Sequence, residues 1–320
     1  MKTILLSSVA ALALALAASA ASAQSAHNAA YIDQAGLSNT NSQTQEGGSH
    51  NLTSTVQRGT SNSAMTLQSA GASNRAYSTQ DNTGNSSSQT QSRGERNELT
   101  STQVGTGGNA VTQSQSGGTY NRAWATQSGS DNSIGQTQVA GHDNRMESRQ
   151  AGAGNGSTQL QLLSGDSAAY VDQIGSGNLA GQTQSGRQLN ARIYQDGLHN
   201  AATQGQTGVN EVATITQTGA FNSATQGQAG AGNTVSALQE GRNNQMLQLQ
   251  AGTGNTASSR QYDGGSAGNW GVQTQFGDEN TASLYQNGNG NRSFQSQSGN
   301  NNTLVASQAG TGNHSTQIQR

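Results

Sequence analysis

The residues best equipped for chemistry are few and poorly placed for it. Gly264-Gly265-Ser266-Ala267-Gly268 fits the Gly-x-Ser-x-Gly turn of serine hydrolases. That nucleophile needs a strand-to-helix turn with a His and a carboxylate in reach, and no helical period follows it, so the match reads as accidental. The five His are His27, His50, His142, His199 and His314, and three of them directly precede an Asn. They read as solvated turn residues, because zinc needs three or four ligands converging at about 2 Å. Acidic residues are scattered over turns and outward positions, such as Asp33, Glu147 and Asp172, and form no catalytic pair. With no Cys there are no thiolate metal sites or disulfides, and with Lys2 as the only Lys there is no Gly-Lys-Ser/Thr phosphate loop. A net charge of −2 offers no basic footprint for nucleic acid. Calcium-binding Gly-Gly-x-Gly-x-Asp repeats do not occur. The expectation is a protein without catalytic activity, cofactor or metal.

What remains is amide chemistry, in which each Gln or Asn side chain both donates and accepts hydrogen bonds. In 320 residues only 30% are hydrophobic and 9% charged, with 43 Gly and no Pro. That is too little apolar material for an ordinary core. Yet Asn recurs every 11 or 12 residues from Asn28 to Asn155, Ser167 takes one place in the series, and Asn resumes from Asn178 to Asn313. A Gln usually stands six residues after each Asn, and a Gly soon follows it.

The units are of two alternating kinds. One carries Gln at both the fourth and sixth positions on: Asn39/Gln43/Gln45, Asn85/Gln89/Gln91, Asn109/Gln113/Gln115, Asn132/Gln136/Gln138, Asn155/Gln159/Gln161, Asn178/Gln182/Gln184, Asn291/Gln295/Gln297 and Asn313/Gln317/Gln319 are examples, and only the Asn62 unit breaks the rule, with Thr66. The other kind has a single Gln, as in Ser167/Gln173, with small or aliphatic residues between, such as Ala30/Ile32 and Ala169/Val171. From Asn39 to Asn313, like units recur about 22.8 residues apart. Positions 0, 2, 4 and 6 share one side, the period of a strand. Each unit is therefore read as a strand of about seven residues closed by a Gly turn, and two strands as one turn of a coil. Stacking the coils at about 4.8 Å makes an all-β, two-strands-per-turn β-solenoid of about 13 turns of 22–23 residues, roughly 60 Å long. Inward rows become ladders of like residues, in which buried amides satisfy one another as in cross-β assemblies.

Asn190 to Gln195 is one residue short and Asn210 to Gln217 one long, so bulges are expected there, with an enlarged turn between Gln261 and Asn269. Tyr31, Trp124, Tyr170, Tyr285 and Phe294 fall on outward positions, either to touch surfaces or through strand propensity alone. Residues 1–23 read as a secretory signal peptide: Lys2, an apolar run from Ile4 to Ala18, and Ala21-Ser22-Ala23 before the cleavage site. Residues 24–320 form the repeat domain. No later segment is apolar enough to embed in a membrane.

The residues resemble the curlin repeat family. Its Ser-x5-Gln-x4-Asn-x5-Gln pattern stands at Ser167, Gln173, Asn178 and Gln184, and with Asn in the Ser place at Asn28, Gln34, Asn39 and Gln45. Ala30-Tyr31-Ile32-Asp33-Gln34-Ala35-Gly36 and Asn222-Ser223-Ala224-Thr225-Gln226 are similar to curlin subunits as well. The resemblance implies a subunit of curli, the extracellular functional-amyloid fibres of Gram-negative bacteria used in biofilm matrix, adhesion and cell aggregation. It implies passage through the periplasm and an outer-membrane secretion pore to a fimbrial location at the cell surface. The implied partners include a curli nucleator or other curlin subunit; the chain itself is expected to join end to end through its first and last turns, because the repeat reaches both and no Pro blocks their unpaired backbone. Two departures stand out. Only Gln24 to His27 separate the expected cleavage site from Asn28, where curlin subunits commonly carry a Gly/Asn/Gln-rich targeting stretch. The chain also has about thirteen turns where familiar subunits have about five. Major and nucleating roles both stay open. The alternatives are a disordered secreted monomer, a monomeric β-solenoid adhesin or ice- or surface-binding protein, and a β-helical polysaccharide enzyme.

Overall fold

The computed structural model describes residues 27–263 and 267–320. The expected signal peptide, and Gly264, Gly265 and Ser266 of the serine motif, lie outside the described residues. The alternation of inward and outward side chains produces 26 strands and, among the described residues, no helix. The strands alternate between two parallel sheets of 13 strands each. The first sheet runs from Ala29–Leu37 to Thr303–Thr311 and the second from Thr40–Glu46 to His314–Gln319. Two consecutive strands make one turn, and the 13 turns form the expected β-solenoid. Single-Gln units build the first sheet and double-Gln units the second. Most strands in the first sheet are nine residues long rather than seven, because pairing continues past the Gln into the Gly arc.

Two backbone devices close each turn. The residue before each unit's first position is left-handed, and it is often not Gly, as at His199 (φ 52°) and Phe221 (φ 58°). Such a conformation costs roughly 1 kcal/mol or more. Past the Gln, stacked glycines carry the arc: Gly152, Gly175 and Gly197 all have positive φ. A Cβ on Gly175 would overlap the carbonyl oxygen of Gly197 in the next turn.

The expected bulges at Asn190 and Asn210 are not there. Asn190 pairs with Ala168, one position inside the strand, and with Val212. The corner places belong to Leu189 and Glu211, whose carbonyls accept from Ala168 N (2.7 Å) and Asn190 N (2.8 Å) as the Asn carbonyls do elsewhere. Gln195 and Gln217 then stand at the regular sixth position. The true irregularity lies earlier, as a register shift between Leu162 and Gly165. Up to Ser167 the arc back to the first sheet takes six residues from Gln161; after it, the equivalent step from Gln184 to Leu189 takes five. The enlarged turn after Gln261 is absorbed outside the ladder, because Asn269 N still donates to Asn244 Oδ1 at 3.0 Å.

Between the sheets, apolar side chains such as Leu99, Ile134, Met146, Ile193, Ile215 and Leu284 are fully buried, and so are Gln57, Gln80, Gln89 and Gln91. Gln is seldom found in a core. Here it is the core's commonest large residue.

Candidate functional site

Each Gln reaches inward from the sixth or fourth position of a strand and meets its copy one turn away. In the first sheet one column runs without a break from Gln34 to Gln308, through Gln173, with Nε2 of each residue donating to Oε1 of the next at 2.5–3.0 Å. In the second sheet the sixth-position column joins Gln45 to Gln297 through Gln91, Gln115, Gln138, Gln161 and Gln184. The fourth-position column joins Gln89 to Gln317 through Gln113, Gln136, Gln159, Gln182 and Gln295. Thr66 breaks this last column, separating Gln43 from it and leaving Gln89 Oε1 without a partner. The final link to Gln319 is also unmade, and Gln319 Oε1 is unpaired.

The columns have a fixed direction. The second hydrogen of most of these amides goes to a backbone carbonyl, as from Gln159 to Glu147 O, Gln173 to Gly156 O and Gln57 to Thr40 O, all at 3.0 Å. A carbonyl only accepts, so an amide held this way cannot turn over, and every Gln linked within a column donates toward the later turn.

Asn joins identical-residue ladders as expected and does a second job besides. Its Oδ1 mainly accepts the backbone N–H of the next corner residue, as from Asn62 to Asn39 and from Asn178 to Asn155, both 3.0 Å. Its Nδ2 reaches a carbonyl in the next turn's arc, as from Asn109 to Gly129 O (2.8 Å), Asn132 to Gly152 O (2.9 Å) and Asn291 to Gly310 O (3.0 Å). Direct Asn–Asn amide contacts add to this, including Asn85 to Asn62 (3.2 Å) and Asn313 to Asn291 (2.9 Å). Asn is thus a clamp on corners that would otherwise bury unpaired backbone. Ser167 fills the role because its Oγ accepts the Leu189 N–H at 3.2 Å.

The next corner residue, Glu211, has no exposure at all. Its Oε1 takes a hydrogen bond from Asn233 Nδ2 (3.1 Å), while Oε2 has no partner. Burial pushes its carboxyl up to about 7, against a smaller downward pull from Asn233. Sequence reasoning placed the acidic residues outside and missed this one, because Asn210 imitates a corner residue. The signal was present: counting six back from Gln217 lands on Glu211.

On the outer face of the first sheet, the Arg145 guanidinium lies 4.4 Å from the Trp124 ring and 5.3 Å from that of Tyr170, and Arg192 lies 5.5 Å from Tyr170. Trp124 Nε1 donates to Glu98 at 3.1 Å. These two rings are half-covered by their own neighbours, whereas Tyr31 and Tyr285 are exposed. His27 stacks on His50 and His199 on Phe221. His142, Asp143 and Asp166 bring ligand atoms within 4.8 Å of one another, all exposed. The grouping is invisible in sequence because one turn separates Asp166 from His142.

The two ends differ from the body. At the first turn Ala30 and Ile32, inward by parity, are exposed, while their counterparts Thr53 and Thr55 are buried. Both polar atoms of the Asn41 amide lack partners. At the last turn, among the described residues, Gln308 Nε2 donates only to Arg292 O and Gln317 Nε2 only to Val305 O, leaving each one hydrogen over. Val305 and Ile318 are strongly exposed. No helix among the described residues is long and apolar enough to cross a membrane.

Residues 277–310, within the last three turns, match the family described as the curlin associated repeat. No curated protein matches the chain.

Proposed function

We propose that this curlin-repeat solenoid is a secreted structural subunit, without catalytic activity, that polymerises end to end into curli-type amyloid fibres. In that role it would serve biofilm matrix, adhesion and cell aggregation at the surface of a Gram-negative bacterium. The observation that carries the reading is the unbroken, one-directional Gln column from Gln34 to Gln308. Among the described residues such a column ends in unused acceptors on one side and unused donors on the other, which a second copy of the chain can join. Repeating the step between turns sets Gln308 against Gln34 and Gln317 against Gln43 of the next molecule. It also sets Ser315 against the unpaired Asn41 amide, Ile318 against Thr44 and Arg320 against Glu46. A two-fold junction would run the strands antiparallel and put Gln opposite the shorter Asn, so the columns would stop. The matching curlin repeat supports the assignment to fibres, and edge strands with unpaired backbone are the general template for such growth. Replacing Gln89, Gln91, Gln113 and Gln115 with Ala is expected to slow or abolish fibre growth followed by thioflavin T and electron microscopy. Growth at the parental rate would reject the reading.

A further inference from the structure

The corner column of the first sheet is built from Asn at every described turn except three in succession, where it reads Ser167, Leu189, Glu211. Leu189 has no side-chain acceptor, so it cannot hold the Glu211 N–H as Asn178 Oδ1 holds the Asn200 N–H at 3.0 Å. Glu211 itself is sealed from solvent with one carboxyl oxygen unpaired. A neutral acid tolerates that setting, whereas a carboxylate there would be a buried charge without a counter-ion.

Among the described residues no such counter-ion stands nearby. On the adjoining strand Asn190–Leu198 the titratable or charged groups are Arg192, Tyr194 and Asp196, all at outward positions. On Thr234–Arg242 they are Glu240 and Arg242, both exposed, and on the facing sheet Arg187 is exposed. Glu211's own strand Val212–Ala220, and the facing strands Ala201–Val209 and Ser223–Ala231, carry none. The one polar side-chain partner among the described residues is Asn233.

We propose that Glu211 is a proton-operated latch on the ninth turn. The turn closes around the neutral acid and loosens when the carboxylate forms, so acidification tightens the middle of the solenoid and alkalinisation opens it. The latch belongs to a single molecule and does not rest on fibre formation.

The sign follows from the two states. Below about pH 4.5 both the open and the closed turn hold the proton. Between there and about pH 7 the open turn ionises while the closed one does not, so closure weakens tenfold per pH unit. Above pH 7 both are ionised and the loss is complete, up to about 300-fold in the closing constant.

Hydrogen exchange on the full chain, corrected for the intrinsic pH dependence of exchange, tests this. Peptides spanning residues 186–236 should lose protection between pH 5 and pH 8.5, while peptides spanning 109–160 should not. E211N restores the corner amide, and E211Q removes the charge at constant size. Either variant should show the same protection at both pH values in 186–236. PH-independent protection in the parent chain, or a pH-dependent loss that persists in both variants, would overturn the latch.

Discussion

Gln159 is the most informative single amide to remove, because it sits mid-column with no solvent exposure. It accepts from Gln136 Nε2 (2.8 Å) and donates to Gln182 Oε1 (2.9 Å), Glu147 O (3.0 Å) and Ala169 O (2.9 Å). Gln159→Leu keeps nearly the same volume but strands Gln182 Oε1 and one hydrogen of Gln136. At roughly 1–3 kcal/mol for each buried unpaired group, the loss is about 2–6 kcal/mol. Gln159→Ala adds the loss of about two buried methylenes, near 0.8 kcal/mol each, and a cavity. A repeat array need not unfold in one step, so the quantity to measure is the local opening free energy of residues 130–190 by hydrogen exchange. The order expected is parent, then Leu, then Ala. If Gln159→Leu is as stable as the parent chain or more so, shape alone holds the interior together and the amide columns are incidental.

Two further perturbations probe other parts of the account. Gly175→Ala puts a methyl group into the Gly197 carbonyl at φ +107°, and should cost more than about 2 kcal/mol in local opening; an unchanged exchange pattern would show that the arcs are not close-packed. For the junction, the absence of native Cys allows fibres to be grown from an equimolar mixture of Thr44→Cys and Ile318→Cys single variants. In-register head-to-tail contact brings these positions within disulfide range, at about 4.8 Å between Cα atoms. Oxidation should therefore yield mixed dimers, and oxidised fibres containing none would contradict that junction.

Much of the architecture is legible in the sequence because the chain repeats one simple instruction. Gln at the fourth and sixth positions, with Thr66 the lone exception, assigns units to the second sheet without any coordinates. The failures share a cause. Corner identity is set by backbone, by the left-handed residue that precedes it, rather than by Asn as such. Asn190 and Asn210 sit one residue to either side of a corner and disguise Leu189 and Glu211. Asn210 is itself the left-handed residue, with φ 56°. The clamp geometry of Asn was also hidden. A ladder of identical amides and an amide gripping the next turn's backbone leave the same trace in sequence, and only atomic positions separate them. Contacts such as Arg145 between Trp124 and Tyr170 depend on which residues lie one turn apart, which becomes readable only once the register is known.

The central claim is that columns of like residues, in register and parallel to the long axis, hold each molecule together and continue into the next. X-ray diffraction from aligned fibres of the purified protein tests it most directly. The account predicts a sharp meridional reflection at 4.7–4.8 Å. Its absence from well-aligned fibres, or a meridional spacing unrelated to the distance between parallel strands, would contradict it.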